Sequence, residues 1–186
     1  DSDAIFRHIS DLGGQAFLST TSHDCGTDRV QEYGKTAGFE AQEVVINVQG
    51  DEPLIHIESV NTSGDFMHAN KYIYGTIAQH FSSNTVLLDP SKVKVVLNDD
   101  NSAIEFFRDA PIVVKDFSKV VLHHVGIYAY QVDFLHTFAG LCKTKNELNL
   151  KLEQMRALDN ALPLHVLELN LDESWGIDTE EDLIRL

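Results

Sequence analysis

The clearest apolar run in the chain spans residues 44–48 and reads Val-Val-Ile-Asn-Val. It is mostly β-branched and nearly continuous, a pattern typical of a strand buried on both faces of a parallel sheet. The run stops at Gln49-Gly50-Asp51, because Gly50 permits a sharp turn and Pro53 cannot donate within a continuing central strand. This pattern predicts that the Gln49 amide and the Asp51 carboxylate follow the carboxyl end of a central strand, where ligands bind in open α/β sheets. A strand followed by an ordinary polar turn is the simpler interpretation.

The remaining pattern predicts a single α/β domain over residues 1–186. Helices are predicted over 3–12, from about 29 to Gly34 or Gly38, over 134–141, over 146–158 and from 179 onward. Strands are predicted over 15–20, 71–79, 92–97, 103–108, 120–130 and 164–169, with the third and fourth forming a hairpin. Residues 57–70 lack clean periodicity and predict a loop between weak helical pieces. The alternation in the first third favours a doubly wound, mostly parallel but mixed sheet, and the strand-rich middle favours a small antiparallel extension.

Charge and cysteine content narrow the possible partners. The formal net charge is −15, so a nucleic-acid backbone or an anionic membrane surface is not expected as a partner. No run approaches the ~20 apolar residues of a membrane helix, and the first residues have no basic stretch of the kind that opens a signal peptide. Cys25 and Cys142 lie far apart and indicate reduced thiols rather than a disulfide scaffold, which predicts a cytoplasmic protein.

Two acids, Asp51 and Asp178, each follow an apolar strand and precede a helix. We therefore expect both carboxylates in one strand-end crevice, close enough to share an ion. Two carboxylates with phosphate oxygens and waters suit Mg²⁺, which takes octahedral oxygen ligands. The alternative for Asp178 is a residue placed before a helix because the helix dipole favours it.

Two further groups of residues suggest an anion-binding site. Residues 25–29, Cys-Gly-Thr-Asp-Arg, open a helix whose backbone N–H groups suit anions or ligand carbonyls. His23 and Cys25 are too few and too close for a zinc site, since no matching ligand pair occurs elsewhere. Arg108 and His124 combine a guanidinium for a carboxylate with a neutral group for hydroxyls, although a surface arginine and a satisfied core histidine explain them equally well.

Six motifs in order carry a resemblance to a known family. They are C-G-T-D-R at 25–29, Q-G-D-E-P at 49–53, K-V-K-V-V-L at 92–97 with F-F-R at 106–108, H-H-V-G-I-Y-A-Y at 123–130, L-E-Q-M-R at 152–156 and G-I-D-T-E-E-D-L at 176–183. Together they resemble the motifs of the CMP-Kdo synthetases, the 3-deoxy-manno-octulosonate cytidylyltransferases, within the sugar nucleotidyltransferase group.

The resemblance implies a nucleotide-diphospho-sugar transferase-like fold and the reaction of CTP with Kdo, or 8-amino Kdo, to give the CMP sugar and pyrophosphate. It implies nucleotide binding by Cys25, Gly26, Thr27, Arg29 and Gln49, sugar-acid binding by Arg108, His124, Tyr128, Glu153 and Gln154, and catalysis with Mg²⁺ held by Asp51 and Asp178. Arg108, His124 and Gln154 should therefore converge on one side of the Asp51 crevice. The family also implies a cytoplasmic homodimer that serves lipopolysaccharide synthesis.

The chain departs from the family pattern at several positions. Cys25 and Phe107 each replace a serine, Leu150 replaces a glutamate, and Ala161 replaces a helix-ending glycine. The segment 111–119 is shorter than in the family. The family's opening strand and its P-A-R-x-x-S-x-R-x-P-G-K loop would precede Asp1, so residues 1–186 alone are expected to lack turnover. A non-catalytic homologue is one alternative, and a sialic-acid cytidylyltransferase is another, disfavoured because Q-G-D-E-P is typical of the Kdo branch.

Overall fold

The computed structural model describes residues 2–23, 25–81, 87–109, 120–169, 176–177 and 180–185. Its helices are α1 (Asp3–Asp11), α2 (Gly26–Ala37), α3 (Ile57–Asn70), α4 (Val132–Ala139), α5 (Lys145–Leu150), α6 (Met155–Asp159) and α7 (Glu180–Arg185). Its strands are β1 (Val44–Val48), β2 (Tyr74–Gln79), β3 (Lys94–Leu97), β4 (Ala103–Phe107), β5 (Val121–Gln131) and β6 (His165–Glu168). Among these helices, none is long and apolar enough to cross a membrane.

The six strands form one mixed sheet in the order β4-β3-β5-β2-β6, with β1 also paired to β5. The mixed α/β class is confirmed, but a parallel majority is not found in the described strands. Only β2 and β6 pair in parallel, whereas β5 is antiparallel to β1, β2 and β3, and β3 is antiparallel to β4. An apolar run reports how deeply a strand is buried and not which way its neighbours run. Moreover, β1 is only half-buried along its length.

The long strand β5 is divided along one of its edges between two partners. Residues 121–123 pair with β3, and residues 127–131 pair with β1, while β2 covers the opposite edge. A register shift of β2 against β5 marks a bulge at the same level, between the partners of Thr76 and Ile77. The sheet therefore forks at residues 124–126, where β1 ends and β3 begins. Bulges commonly re-aim side chains beside functional sites.

The main core is a stack of aromatic rings that packs against β5, the strand at which the sheet forks. Tyr74 lies with its ring centroid 4.6 Å from that of Phe134 and 5.1 Å from that of Tyr130. Tyr128 joins this stack at 6.1 Å from Tyr130, and Phe138 at 6.0 Å from Phe134. All five rings are buried. Because these residues come from β2, β5 and α4, the core fixes β5 against the helical layer.

The structure corrects three predicted elements. Residues 57–70 form one helix, and its buried residues Ser59, Ser63 and Met67 have helical spacing. Because two of these three residues are polar, the sequence shows no clear apolar period here. Residues 146–158 form two helices, because Lys151 adopts the left-handed conformation with φ 54° and ends α5. Residues 15–20 do not form a strand.

The other predicted helices and strands among the described residues are confirmed to within a few residues, including the β3–β4 hairpin. Ala161, which replaces an expected glycine, takes the left-handed conformation that glycine favours, with φ 55°. The short segment 111–119 lies outside the described residues.

Candidate active site

A cleft of about 450 Å³ opens at the fork of the sheet. Eight predicted site residues from widely separated positions line it, namely Cys25, Gln49, Asp51, Arg108, His124, Tyr128, Glu153 and Gln154. The structure therefore brings Arg108, His124 and Gln154 together with Asp51, as the sequence analysis expects. Their convergence requires β5, the turn after β1, the end of β4 and the α5–α6 junction to meet.

A second cleft, of about 910 Å³, lies against β1 and the start of α2. Gly26 and Arg29 line it together with Phe17 and Tyr33. Four residues line both clefts: Gln49, Asp51, Tyr128 and Glu153. The two clefts thus adjoin at the carboxyl end of β1, and two ligands bound in them would meet there.

Thr27 differs from the other predicted nucleotide-binding residues because it lines neither cleft. It is fully buried, and its hydroxyl forms a 2.9 Å hydrogen bond with the Tyr130 hydroxyl. Its backbone N–H donates to Glu153 Oε1 at 3.2 Å. Thr27 therefore connects the start of α2 to the core and to Glu153.

Glu153 and Cys25 form a largely desolvated pair at the wall of the first cleft. Burial raises the pKa of Glu153, while the nearby Cys25 and Arg156 oppose the rise. Burial, reinforced by Glu153, raises the pKa of the Cys25 thiol to about 12. Cys25 is therefore protonated at neutral pH and serves as a weak donor rather than a nucleophile.

Tyr128 orients the Gln154 side chain. The Tyr128 hydroxyl donates a 3.0 Å hydrogen bond to Gln154 Oε1. Because Oε1 accepts this bond, the Nε2 donor of the same amide points away from Tyr128. Gln154 is only 1% exposed, and Nε2 has no hydrogen-bond partner among the described residues. A buried donor without a partner costs about 1–3 kcal/mol. A ligand oxygen in the cleft would satisfy it.

His124 presents a neutral ring whose tautomer follows from its neighbour. The Thr76 hydroxyl donates its only proton to Ile127 O at 2.7 Å and also lies 2.9 Å from His124 Nε2. Nε2 must therefore carry the proton and donate to Thr76, which leaves Nδ1 as an acceptor. Burial, with a contribution from His123, lowers the pKa of His124 to about 3. The ring can accept a hydrogen bond from a ligand hydroxyl at neutral pH.

Arg108 is held at the wall of the cleft by backbone carbonyls. Its Nε–H donates to Leu150 O at 3.1 Å, and its Nη1–H donates to Ser91 O at 3.3 Å. Three lysines line the same cleft, at positions 92, 143 and 151. Because four cations here accompany the carboxylates of Asp51, Glu52, Glu147 and Glu153, the cleft is less negative than a chain of net charge −15 as a whole and can accept an anionic ligand.

The Asp51 side of the cleft contains closely packed glycines. Glu52 Oε1 accepts the N–H of Gly126 at 3.4 Å, and a Cβ at Gly126 would lie only 2.9 Å from the same oxygen. Ile177 N–H donates to Asp51 O at 2.7 Å, which fixes the residue before position 178 beside Asp51. Asp178 itself lies outside the described residues, so its predicted proximity to Asp51 stays a prediction.

The donors at this edge suit Mg²⁺ chemically. Within the described ranges, no group of three His, Cys, Asp or Glu side chains could hold a metal ion. Mg²⁺, however, usually binds through one or two carboxylates and completes its shell with water and substrate phosphates. The exposed Asp51 carboxylate at the junction of the two clefts fits that requirement.

Two buried residues, Arg156 and Glu147, are assigned no role in the sequence analysis. Arg156 donates through Nε and Nη2 to both oxygens of Glu147 at 2.5–3.1 Å, and its Nη1 lies 3.5 Å from Asp28 Oδ1. Glu147 also completes a capping box with Thr144. The spacing of Thr144 and Glu147 is a readable capping signal, and it could have identified Glu147 as the start of a helix.

The fold and the adjoining clefts define an α/β protein with two clefts that meet at the carboxyl end of a strand. The chain matches the Cytidylyltransferase family model over residues 1–166 and belongs to that family.

Two relatives are named 3-deoxy-manno-octulosonate cytidylyltransferase. The one from Trichlorobacter lovleyi is 37% identical over 98% of this chain and 76% of its own length, and the one from Thermodesulfovibrio yellowstonii is 36% identical with the same coverage. A solved CMP:2-keto-3-deoxy-manno-octonic acid synthetase complexed with CTP superposes with a TM-score of 0.86 at 30% identity, covering 100% of this chain and 76% of that one. A glucose-1-phosphate thymidylyltransferase described as putative, from Bacillus anthracis, shares the fold alone, with a TM-score of 0.58 at 16% identity over 98% of this chain and 68% of that one.

Proposed function

We propose that this protein transfers CMP from CTP to the sugar acid Kdo, or to 8-amino Kdo, and releases pyrophosphate. The observation that carries the proposal is the junction of two clefts at Gln49, Asp51, Tyr128 and Glu153. Such a junction lets two substrates meet at one point, which a transferase requires and a simple binding module does not. The names of the relatives identify the two substrates.

The sugar acid occupies the first cleft in this proposal. Arg108 binds the carboxylate, for which a planar guanidinium is the best geometric match. The neutral His124 accepts a hydrogen bond from a sugar hydroxyl at Nδ1, and Gln154 donates a hydrogen bond through Nε2 to a sugar oxygen. Tyr128 orients Gln154, and Glu153 accepts from a further hydroxyl. His124, Tyr128 and Gln154 are neutral, so they discriminate hydroxyl positions without adding charge to the cleft.

The nucleotide occupies the second cleft. Gly26 and Arg29 at the start of α2, with Gln49 after β1, face the cytidine and its phosphates. Cys25 stands at the N-cap position of α2, and Thr27 holds that helix start against Tyr130 and Glu153. The backbone N–H groups of a helix start favour anions and carbonyl oxygens. In this proposal the α-phosphate lies near the junction of the clefts.

Asp51 and Asp178 would hold Mg²⁺ in this proposal. The ion, when bound, offsets phosphate charge during attack on the triphosphate. The anomeric hydroxyl oxygen of the sugar forms a bond to the α-phosphorus in line, the bond from that phosphorus to pyrophosphate breaks, and the departing pyrophosphate takes up the hydroxyl proton. The side chains at the junction align the two substrates and exclude water from them.

The cellular setting is part of the proposal. We infer that the protein acts as a homodimer in the cytoplasm and supplies an activated sugar for lipopolysaccharide synthesis. The relatives' names support the sugar. A sedimentation measurement of the purified protein tests the dimer, and a monomer at micromolar concentration would contradict it.

The activity test uses the natural full-length protein and measures pyrophosphate release. Each assay contains CTP, Mg²⁺ and one of three sugars, namely Kdo, 8-amino Kdo or sialic acid. We expect turnover with one of the two Kdo sugars. Replacement D51N should lower kcat by at least about 100-fold, because it removes a carboxylate that would hold the Mg²⁺ that offsets phosphate charge. Replacement D65N on α3 is the matched control, since Asp65 is exposed and lines neither cleft. Turnover with sialic acid alone, or none with any sugar, would refute the proposal.

A further inference from the structure

Lys94 is a charged residue with no exposed surface. It begins β3 and has 0% exposure, and Nζ donates to Asp89 O at 2.5 Å and to Arg108 O at 2.6 Å. Burial lowers its pKa, although nearby Asp89 and Asp109 oppose the change. Burying an ammonium is costly unless it is hydrogen-bonded and charge-compensated, and the two carbonyls supply the hydrogen bonds here.

The two carbonyls belong to the two segments that fix the Arg108 guanidinium. Ser91 N–H donates to Asp89 Oδ1 at 2.8 Å, so the segment after Asp89 is a rigid turn. Ser91 O in turn accepts from Arg108 Nη1 at 3.3 Å. Lys94 therefore holds the backbone from which Arg108 extends and also the turn that receives its side chain. The four residues Asp89, Ser91, Lys94 and Arg108 form a closed ring of contacts.

We propose that Lys94 is a positioning residue for recognition of the sugar acid and acts through Arg108. This inference rests on the proposed function. Lys94 does not line either cleft and never touches the substrate. It fixes the place of the guanidinium, and a displacement of about 1 Å in a group that orients substrate can cost about 100-fold in rate.

The architecture separates this role from simple filling of the core. Methionine has nearly the length of lysine and would fill the same space without the cost of a buried charge. It would leave Asp89 O and Arg108 O without their shared donor. Replacement K94M thus nearly preserves volume and removes the ammonium group together with its two hydrogen bonds, so a selective effect on the KM for Kdo reports the positioning.

The test compares the KM for Kdo with the KM for CTP in K94M. We expect the KM for Kdo to rise by about tenfold or more, with less than a twofold change in the KM for CTP. The matched control is V95A, because Val95 is the next residue of β3 and is equally buried. V95A should lower the melting temperature without separating the two KM values. Equal changes of both KM values in K94M, or the same separation in V95A, would overturn the proposal.

A second measurement keeps this inference distinct from the proposed function. The exchange of the Arg108 Nε proton with solvent can be followed by NMR in the absence of any substrate. We expect faster exchange in K94M than in the unmodified protein or V95A, because the hydrogen bond from Arg108 Nε–H to Leu150 O becomes weaker. Unchanged exchange would overturn the positioning role, even if the enzyme proves active. An inactive protein with faster exchange in K94M would refute only the proposed function.

Discussion

His124 is a histidine that the fold keeps neutral. Its Nε2–H donates to Thr76, its ring meets Phe106 edge-on with centroids 5.1 Å apart, and its side chain is almost completely buried. An imidazolium at this position would be poorly hydrated and would face the neighbouring His123. The residue therefore recognises a ligand as an uncharged group and makes folding sensitive to acid.

That sensitivity has a defined direction. The pKa of His124 is about 3 in the folded chain and 6.5 ordinarily, so between these values only the unfolded chain binds a proton there. The free energy of unfolding should therefore fall as pH drops from about 6.5, with a slope of up to about 1.4 kcal/mol per pH unit, and this contribution should level off below about 3. Urea denaturation of the unmodified protein and H124Q between pH 7 and 5 tests this. Equal slopes for the two proteins would contradict it.

At the scale of elements, one buried ion pair connects three helices. Arg156 of α6 binds Glu147 of α5, approaches Asp28 of α2, and places its guanidinium 4.4 Å from the Phe138 ring centroid. Arg156 and Glu147 are 2% and 6% exposed. The segment between α5 and α6 contains Glu153 and Gln154. The ion pair therefore fixes the segment that carries these two residues to the cleft.

Replacing only one partner of this pair should lower the free energy of unfolding much more than replacing both charged side chains with neutral ones. R156M leaves the Glu147 carboxylate buried without its cation, and we expect a loss of about 3–5 kcal/mol in the free energy of unfolding. The double replacement R156M/E147Q should be more stable than R156M, because no uncompensated charge remains. Urea denaturation of both variants measures the difference. A loss below about 1 kcal/mol in R156M, or a double variant that is no more stable, would show that the pair contributes little.

The same elements explain what could be read from the sequence. β3 and β4 were predictable because the Asn98 to Asn101 turn separates two apolar runs, and α2 was predictable from Gly38 at its end. The break at Lys151 was not, since nothing in its sequence signals a left-handed lysine. The Thr76 contact that sets the His124 tautomer was also hidden, because it joins residues 48 positions apart. Local pattern predicts elements, whereas the hydrogen-bond partners of site residues depend on long-range pairing.

The whole molecule carries a formal charge of −15 from 29 acids and 14 basic residues. Several of those basic groups line the first cleft, so most of the remaining surface is more negative than the average. Repulsion among like charges opposes compaction, and it acts over about 30 Å at 10 mM salt but under 10 Å at 200 mM.

Salt should therefore stabilise this protein. Raising NaCl from 10 to 200 mM is expected to raise the melting temperature by about 2–4 °C, which corresponds to about 1 kcal/mol for a domain of this size. Calorimetry at pH 7.5 measures the shift, and a glucose solution of equal osmolality controls for effects other than screening. A lower melting temperature in salt would mean that attractive ion pairs outweigh the net repulsion.

The fork along β5 also has an entropic consequence. Strand β5 is hydrogen-bonded to β1, β2 and β3, so His124 and Tyr128 extend from backbone that is held on both edges. Their rotamers are already restricted by ring contacts with each other and with the aromatic core. A ligand that binds against this wall orders few new torsions, each of which would otherwise cost about 0.5–1.5 kcal/mol. Lys92 and Lys151, which also line the cleft, have longer and more flexible side chains that lose more freedom on contact, so the strand offers its contacts at the lower entropic cost.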